Sequence, residues 1–409
     1  MKPPPPIAFA DALARITSVG AARRLPAEEV TIGHALGRVL ASAPLSLVDV
    51  PGFANAAMDG FALRLADLAA APDGLPVQGV RHAGAEGPVA LAPGRCLRIT
   101  TGALLPEGAD AVVPLEQAQM SGDRMRPEAT PAAGAHIRYA GEDYRLGQAI
   151  AEAGTQVDAP IVAAAAASGI ACVHVHRAPR VAVVVTGDEL RPAGARLEPG
   201  QIHDSNGPLL AALLAGEGIA AMPVLHAADR HEAVASALEQ ACAGADLVLC
   251  CGGASVGERD LLPGLLAEAG RLHFWRVSMK PGMPVVFAEC GAALVLALPG
   301  NPVSVFATFL ALVRPALDAL QGRTQPRERL RALLDEPVDK RHGRHELRRG
   351  LLRCDGAGIV RVRAHPAQGS HQLHGVVQSN GLIHLPADLA RVEAGEPVEV
   401  DRYGAILSP

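Results

Sequence analysis

A chain of 409 residues exceeds what one hydrophobic core normally organises, so two to four domains are expected. Hydrophobic residues make up 49% but aromatics only 3%, which leaves alanine and the branched aliphatics to build the cores. The formal charge of −5 argues against a broad nucleic-acid-binding surface.

The N-terminus opens on a proline run with no apolar leader, and the seven cysteines include no C-x-x-C pair. Together these point to a reducing cytoplasm. Cys250 and Cys251 fall inside an apolar run and read as buried free thiols. No stretch reads as an uninterrupted membrane span, since AAAAASGIACVHVH stops at histidines.

In chain order, FADALARITSV and IGHALGRVLA carry apolar residues at helical spacing. From about 50 to 145, short runs such as PVQGV, RCLRIT, DAVVPLE and HIRYAG lie between glycines and prolines, which predicts a β-rich unit. DAPIVAAAAAS returns to helix with Asp158 as its N-cap. ACVHVH alternates like a half-buried strand. His174 and His176 share one face of it at metal-ligand spacing, but no further Cys or His set completes a site, so they read as a polar face.

From 180 to 320 continuous apolar strands (VAVVV, IAAMPVLHA, DLVLCC, HFWRV, PVVFAE, ALVLAL) alternate with helices. This is the pattern of a mostly parallel, doubly wound sheet covered on both faces. The last helix runs from Asn301, as N-cap, to about Leu320. ELRRGLLR, GIVRVRAH, GLIHLP and PVEV then form a small C-terminal β domain.

DLVLCCGGASVGERD, residues 246–260, ends a strand in a bare, glycine-rich turn. Such a turn into a helix is either an anion cradle or a tight turn; its spacing fits neither the dinucleotide fingerprint nor a P-loop. Its neighbours on the same carboxyl edge should be TGDEL, QIHDSN and PGNPVS. Asp188, Glu189, Asp204, Glu258 and Asp260 gathered there would repel one another unless a cation offset them, which points to a Mg²⁺-assisted phosphate reaction.

These motifs, with AAMDGFALR, RITTGALLPEGADAVVPLE, MKPGMP and GSHQL…SNGLIHLP, occur in the order found in the molybdopterin molybdenumtransferase family, which includes MoeA and the gephyrin E domain. The resemblance runs from about residue 8 to 400. It implies an elongated helical/β domain split between 1–48 and 146–178, with an inserted β-rich domain at 49–145. A molybdopterin-adenylyltransferase-like α/β domain follows at 179–325, and a β-barrel at 326–409. It also implies a homodimer whose cleft is shared between subunits. The substrates would be adenylylated molybdopterin and molybdate; molybdenum is inserted with Mg²⁺-dependent release of AMP.

Carried onto this sequence, the resemblance assigns Asp59 and Thr100, from the partner subunit, and Asp260 and Lys280 as catalytic. Gly252, Gly253, Ser255, Gly257, Asp204, Pro299, Pro302, Ser304 and Ser370 would bind substrate. Asp143, Glu189, Asp204 and Asp260 would surround the metal. The family loop KPGKP reads KPGMP here, so Met283 removes one cation from the dianion site, unless a residue such as Arg344, Arg348 or Arg349 replaces it. Arg361 and Arg363 are further candidates, although such strand arginines usually form a solvated face. Two other functions compete: a nucleotidyl transfer like that of molybdopterin adenylyltransferase, itself a possible partner, and a scaffold whose catalysis has weakened. Neither nucleic acid nor membrane is expected as a partner.

Overall fold

The computed structural model describes residues 4–253 and 261–407. In its first half, strand Ala27–Thr31 pairs antiparallel with Cys172–His176. Leu40, Val157, Ile170, Val173 and Val175 share one buried cluster. Two segments distant in sequence thus form one core, as a split domain requires. Asp158 caps its helix as predicted, accepting the Ile161 N–H at 2.9 Å.

Two pieces of the 1–48 segment depart from expectation. Helix Phe9–Ala22 forms, but Phe9, Ala12 and Ile16 are buried with Leu317 and Leu320 of the α/β domain, not in the split domain. Its Gly20 permits that approach, because a Cβ there would lie 2.8 Å from the Ala319 Cβ. The second predicted helix does not form beyond a turn at Ile32–His34. Ala35 and Leu40 are buried, so the apolar spacing was real. The backbone, however, bonds across the domain: Gly37 N–H to Val157 O at 2.8 Å and Leu40 N–H to Thr155 O at 2.9 Å.

The inserted unit is a six-stranded sheet whose central strands are Cys96–Ile99 and Leu75–Arg81. Small cores on its two faces hold Phe61 and Leu63, and Ala62 and Ile99.

The α/β domain carries a second six-stranded sheet. Strands Leu225–Ala227, Val181–Thr186, Leu247–Cys251 and Ala293–Leu298 run parallel. Val286–Cys290 and Arg271–Trp275 close the edge antiparallel. All residues of Val181–Thr186 and Leu247–Cys251 are buried, because helices cover both faces. That two-sided cover is why the strands read as unbroken apolar runs.

HFWRV, read as one strand, breaks at Arg276, whose φ is +78°. There the chain leaves the α/β sheet, and Val277–Lys280 pairs in parallel with Ile7–Ala8 on one side and with His345–Glu346 on the other. The final helix spans the predicted range with a widened π turn at Phe309–Val313 between Pro302–Thr308 and Arg314–Leu320. By length and composition Pro302–Leu320 would match a membrane span, but 78% of its apolar stretch is buried, so it serves as a core helix.

The C-terminal strands Leu330–Leu334, His345–Cys354, Val360–Ala364, Gly381–Leu385 and Pro397–Arg402 close into a five-stranded barrel. Leu330–Leu334 is the one barrel strand the sequence reading did not assign. Val362, Ile383 and Val400 fill the interior.

Candidate active site

Parallel strands all end on one side, so their turns meet at one edge. Gly252 and Gly253 adopt φ of +95° and +60°. A Cβ on Gly252 would sit 2.5 Å from the Thr186 carbonyl oxygen, so only glycine fits this turn. A Cβ on Gly300 would lie 3.9 Å from the Gly252 Cα, which puts the two turns side by side.

Asp204 is 6% exposed. Its Oδ1 accepts the N–H groups of Asn206 at 2.9 Å and Gly207 at 3.1 Å, and its Oδ2 meets His226 Nε2 at 3.0 Å. Oδ1 therefore helps start helix Asn206–Gly216, while Oδ2 ties that start to strand Leu225–Ala227. Asn206 Nδ2 donates to Gly300 O at 2.7 Å, joining that helix to the PGNPVS turn. The Asn206 Oδ1 is buried and has no partner.

PGNPVS places Pro299 and Ser304 in the buried layer and Pro302 at the first helical position. Asn301 stands at the cap position but does not cap with its side chain. Its Nδ2 donates instead to Ser370 Oγ at 3.1 Å, while Val303 N–H donates to Ser370 O at 3.3 Å. Ser370 of the barrel thus reaches the α/β edge. Arg349 holds that loop: it is 2% exposed, and its Nε donates to Ala367 O at 3.0 Å and its Nη2 to Gly369 O at 3.2 Å. This guanidinium is spent on the loop's carbonyls and does not replace the missing lysine.

Lys280 Nζ lies 3.1 Å from Glu346 Oε1. Glu346 is 2% exposed and also meets Arg348 Nε at 3.2 Å. Burial pushes its carboxyl pKa up, but Arg348 and Lys280 outweigh burial and hold it below the ordinary value. Lys280, Arg341, His342, Arg348, His365 and Gln368 line a cavity of about 470 Å³ where the barrel meets this strand. Glu336 and Asp339 share the same wall, so its lysine and arginines stand beside two carboxylates. Arg361 and Arg363, by contrast, pair with Asp355 and Glu336 on the barrel surface.

Asp59 and Thr100 come together on the inserted sheet. Thr101 donates both its N–H and its hydroxyl to Asp59 Oδ1 at 2.7 Å each, and Thr100 Oγ1 accepts the Ala83 N–H at 3.1 Å. The backbone hydrogen bond from Thr101, followed by its hydroxyl, holds the exposed Asp59 carboxyl below its ordinary pKa. His174 and His176 are structural, as read: His176 Nδ1 bonds Leu25 O at 2.7 Å.

The acidic set is only partly assembled. Glu189 is exposed at the α/β edge beside Asp188, whose Oδ1 accepts the Asp229 N–H at 3.1 Å. Burial first, then Asp188 and Glu189, raise the Asp229 carboxyl pKa. Asp143 lies elsewhere, exposed where the inserted domain rejoins the split one, with its N–H on Val50 O at 2.9 Å. Ser255, Gly257, Glu258 and Asp260 lie outside the described residues. Among the described residues no three His, Cys, Asp or Glu side chains converge as a metal-ligand set.

Fold and edge together define a multidomain α/β protein whose glycine turns meet at one sheet edge with a barrel docked beside them. Comparison with known proteins narrows that class. Family profiles match in chain order: the MoeA N-terminal region (domain I and II) at 7–169, a probable molybdopterin binding domain at 182–319 and the MoeA C-terminal region (domain IV) at 331–402. The molybdopterin molybdenumtransferase of Haemophilus influenzae is 34% identical, over 93% of this chain and 95% of its own. That of Nostoc is 36% identical over 91% and 88%. The crystal structure of the molybdopterin biosynthesis moeA protein from Pyrococcus horikoshii superposes with a TM-score of 0.81 at 27% identity, covering 97% of this chain and all of that one. The chain belongs to the molybdopterin molybdenumtransferase (MoeA) family.

Proposed function

We propose that this protein acts in molybdenum cofactor biosynthesis, as a transferase that inserts molybdenum from molybdate into adenylylated molybdopterin with release of AMP. The observation that carries this reading is the docking of barrel residue Ser370 onto the Asn301 helix start, beside the Gly252 turn. It joins an anion cradle to a cavity lined by Lys280, His342 and Arg348. A two-domain cleft of this kind suits a ligand with a phosphoanhydride at one end and an oxyanion partner at the other. An α/β domain alone would suffice for nucleotidyl transfer, so the barrel's contribution favours the molybdenum step.

In this reading Gly252 and Gly253 offer backbone N–H groups to the phosphates, and Lys280 offsets negative charge as AMP leaves. Magnesium is part of the proposal, with Glu189 and Asp260 as its carboxylates; when bound it neutralises charge on the phosphoanhydride. Asp59 and Thr100 make their contacts within the inserted sheet, which supports their delivery from a second subunit. Leu45, Leu47, Phe53, Tyr139 and Leu146, all at least 47% exposed near the seam of the split and inserted domains, supply apolar surface for such a homodimer. A molybdopterin adenylyltransferase that hands on the adenylylated substrate is the partner this chemistry calls for. All seven cysteines are free, in keeping with a reducing cytoplasm.

The test is molybdate-dependent AMP release from adenylylated molybdopterin by the purified protein with Mg²⁺. AMP release is expected to rise with molybdate and stop with chelator. Formation of adenylylated product from ATP and molybdopterin, without that release, would reassign the chain to nucleotidyl transfer.

A further inference from the structure

Arg81 ends strand Leu75–Arg81 of the inserted sheet and is only 5% exposed, yet it pairs with no carboxylate among the described residues. Its Nη2 donates instead to two backbone carbonyls, Ala85 O at 3.0 Å and Gly87 O. Burying a guanidinium without a counter-charge is costly, so the carbonyls it gathers have to offset its lost hydration. Both belong to the loop that follows it, residues 82–87.

That loop buries no side chain of its own. Every residue from His82 to Pro88 is exposed, and Gly84 and Gly87 take φ of +79° and +71°. Its other bonds are few: Ala85 N–H donates to His82 O at 3.2 Å, and Ala83 N–H to Thr100 Oγ1 at 3.1 Å. A Cβ on Gly102 would lie 3.9 Å from the Ala83 Cβ, so the loop rests on the turn that carries Thr100. Thr100 N–H donates in turn to Arg81 O at 3.0 Å. Arg81 thus meets this turn twice, through its own carbonyl and through the loop its guanidinium holds.

A threonine hydroxyl carries one proton and two lone pairs. The Ala83 N–H occupies a lone pair of Thr100 Oγ1, and the Thr100 O–H has no acceptor among the described residues, so it is free to donate to a ligand. Asp59 stands beside it, bonded to the neighbouring Thr101. The two Thr101 bonds lower the Asp59 pKa most; Arg98 and His82, the first loop residue, act in the same direction. We propose that Arg81 is a positioning residue for the transfer reaction: it braces loop 82–87, and the braced loop fixes the Thr100 hydroxyl as a hydrogen-bond donor to an oxygen of the anionic substrate. The proposal rests on the transferase reading, with Asp59 and Thr100 at the substrate.

The experiment is a double-mutant cycle on the full-length protein, read by single-turnover AMP release from adenylylated molybdopterin with molybdate and Mg²⁺. Amide exchange of residues 82–88, followed by mass spectrometry, accompanies it. Arg81→Met should slow AMP release about tenfold to a hundredfold, the cost of a slightly misplaced contact. In the Thr100→Ala background, where the hydroxyl is gone, Arg81→Met should bring no further loss. Arg81→Lys keeps a buried donor and should recover part of the rate. The loop amides should exchange about tenfold or more faster in Arg81→Met, the effect of losing a charge-assisted hydrogen bond. An unchanged rate in Arg81→Met, or the same fold-loss in both backgrounds, overturns the proposal, since a merely structural arginine would act independently of Thr100. If Arg81→Met fails to fold, Arg81→Lys is taken through the same cycle. A wild type without molybdate-dependent AMP release sinks the transferase reading, while loop exchange, which needs no turnover, still decides the brace.

Discussion

His345 stacks on Phe9 with ring centroids 4.1 Å apart and meets His384 Nδ1 at 3.1 Å; His384 in turn bonds Asp401 at 2.7 Å. Burial first, then the charges of His384, Arg329 and Lys340, lower the His345 pKa from 6.5 to about 4, with Asp401 opposing. The unfolded chain therefore binds one more proton than the native one between these values. Stability from this group is full above pH 6.5 and falls as pH drops towards 4, by at most about 3 kcal/mol before solvent screening. Urea midpoints at pH 7.5, 6 and 4.5 check this; His345→Phe should flatten the slope in that window. Asp401, whose pKa is lowered, loses its contribution only further into acid. At Asp59 the expected effect is on chemistry. It is exposed, so Asp59→Ala should cost about 1 kcal/mol or less in stability, while AMP release falls about a hundredfold or more.

Turns and helices set the next scale. Gly252→Ala demands both φ near +95° and a Cβ 2.5 Å from a carbonyl oxygen. It should cost about 1–3 kcal/mol or more and distort the cradle. Gly264, inside helix Leu262–Ala269, has nothing within 4 Å of an added Cβ. Gly264→Ala should stabilise by about 0.5–1 kcal/mol. Chemical denaturation of the two variants side by side separates a glycine required by its turn from one that is merely tolerated. Equal effects would mean the Gly252 turn relaxes freely.

For the whole molecule the question is how many chains make one site. Asp59 sits on the inserted sheet, and Lys280 sits where the α/β sheet hands its strand to the barrel. If the cleft is shared, co-expressing Asp59→Ala with Asp260→Asn yields mixed dimers with one intact cleft. Their AMP release should return towards about half of the wild-type rate, although each variant alone is inactive. Sedimentation of the same preparations would report the dimer directly. Two inactive variants that stay inactive together, while still forming dimers, would confine the site to one subunit.

The doubly wound sheet and the glycine turn were legible in the sequence. Two-faced burial writes itself as unbroken apolar runs, and a positive φ leaves glycine as its trace. Asp158 could be assigned because a cap is local. Local periodicity failed at IGHALGRVLA, where Gly37 and Leu40 bond to a segment more than a hundred residues away. It failed again at Arg276, where one apolar run serves two different sheets. Tertiary structure alone decided that Glu346 pairs with Lys280, that Arg349 is consumed by the Ser370 loop, and that Arg276 and Arg344 meet at Met283. The first and last of those pairings join separate domains and the second closes a loop within the barrel, and the geometry of their approach leaves no period or spacing in the chain.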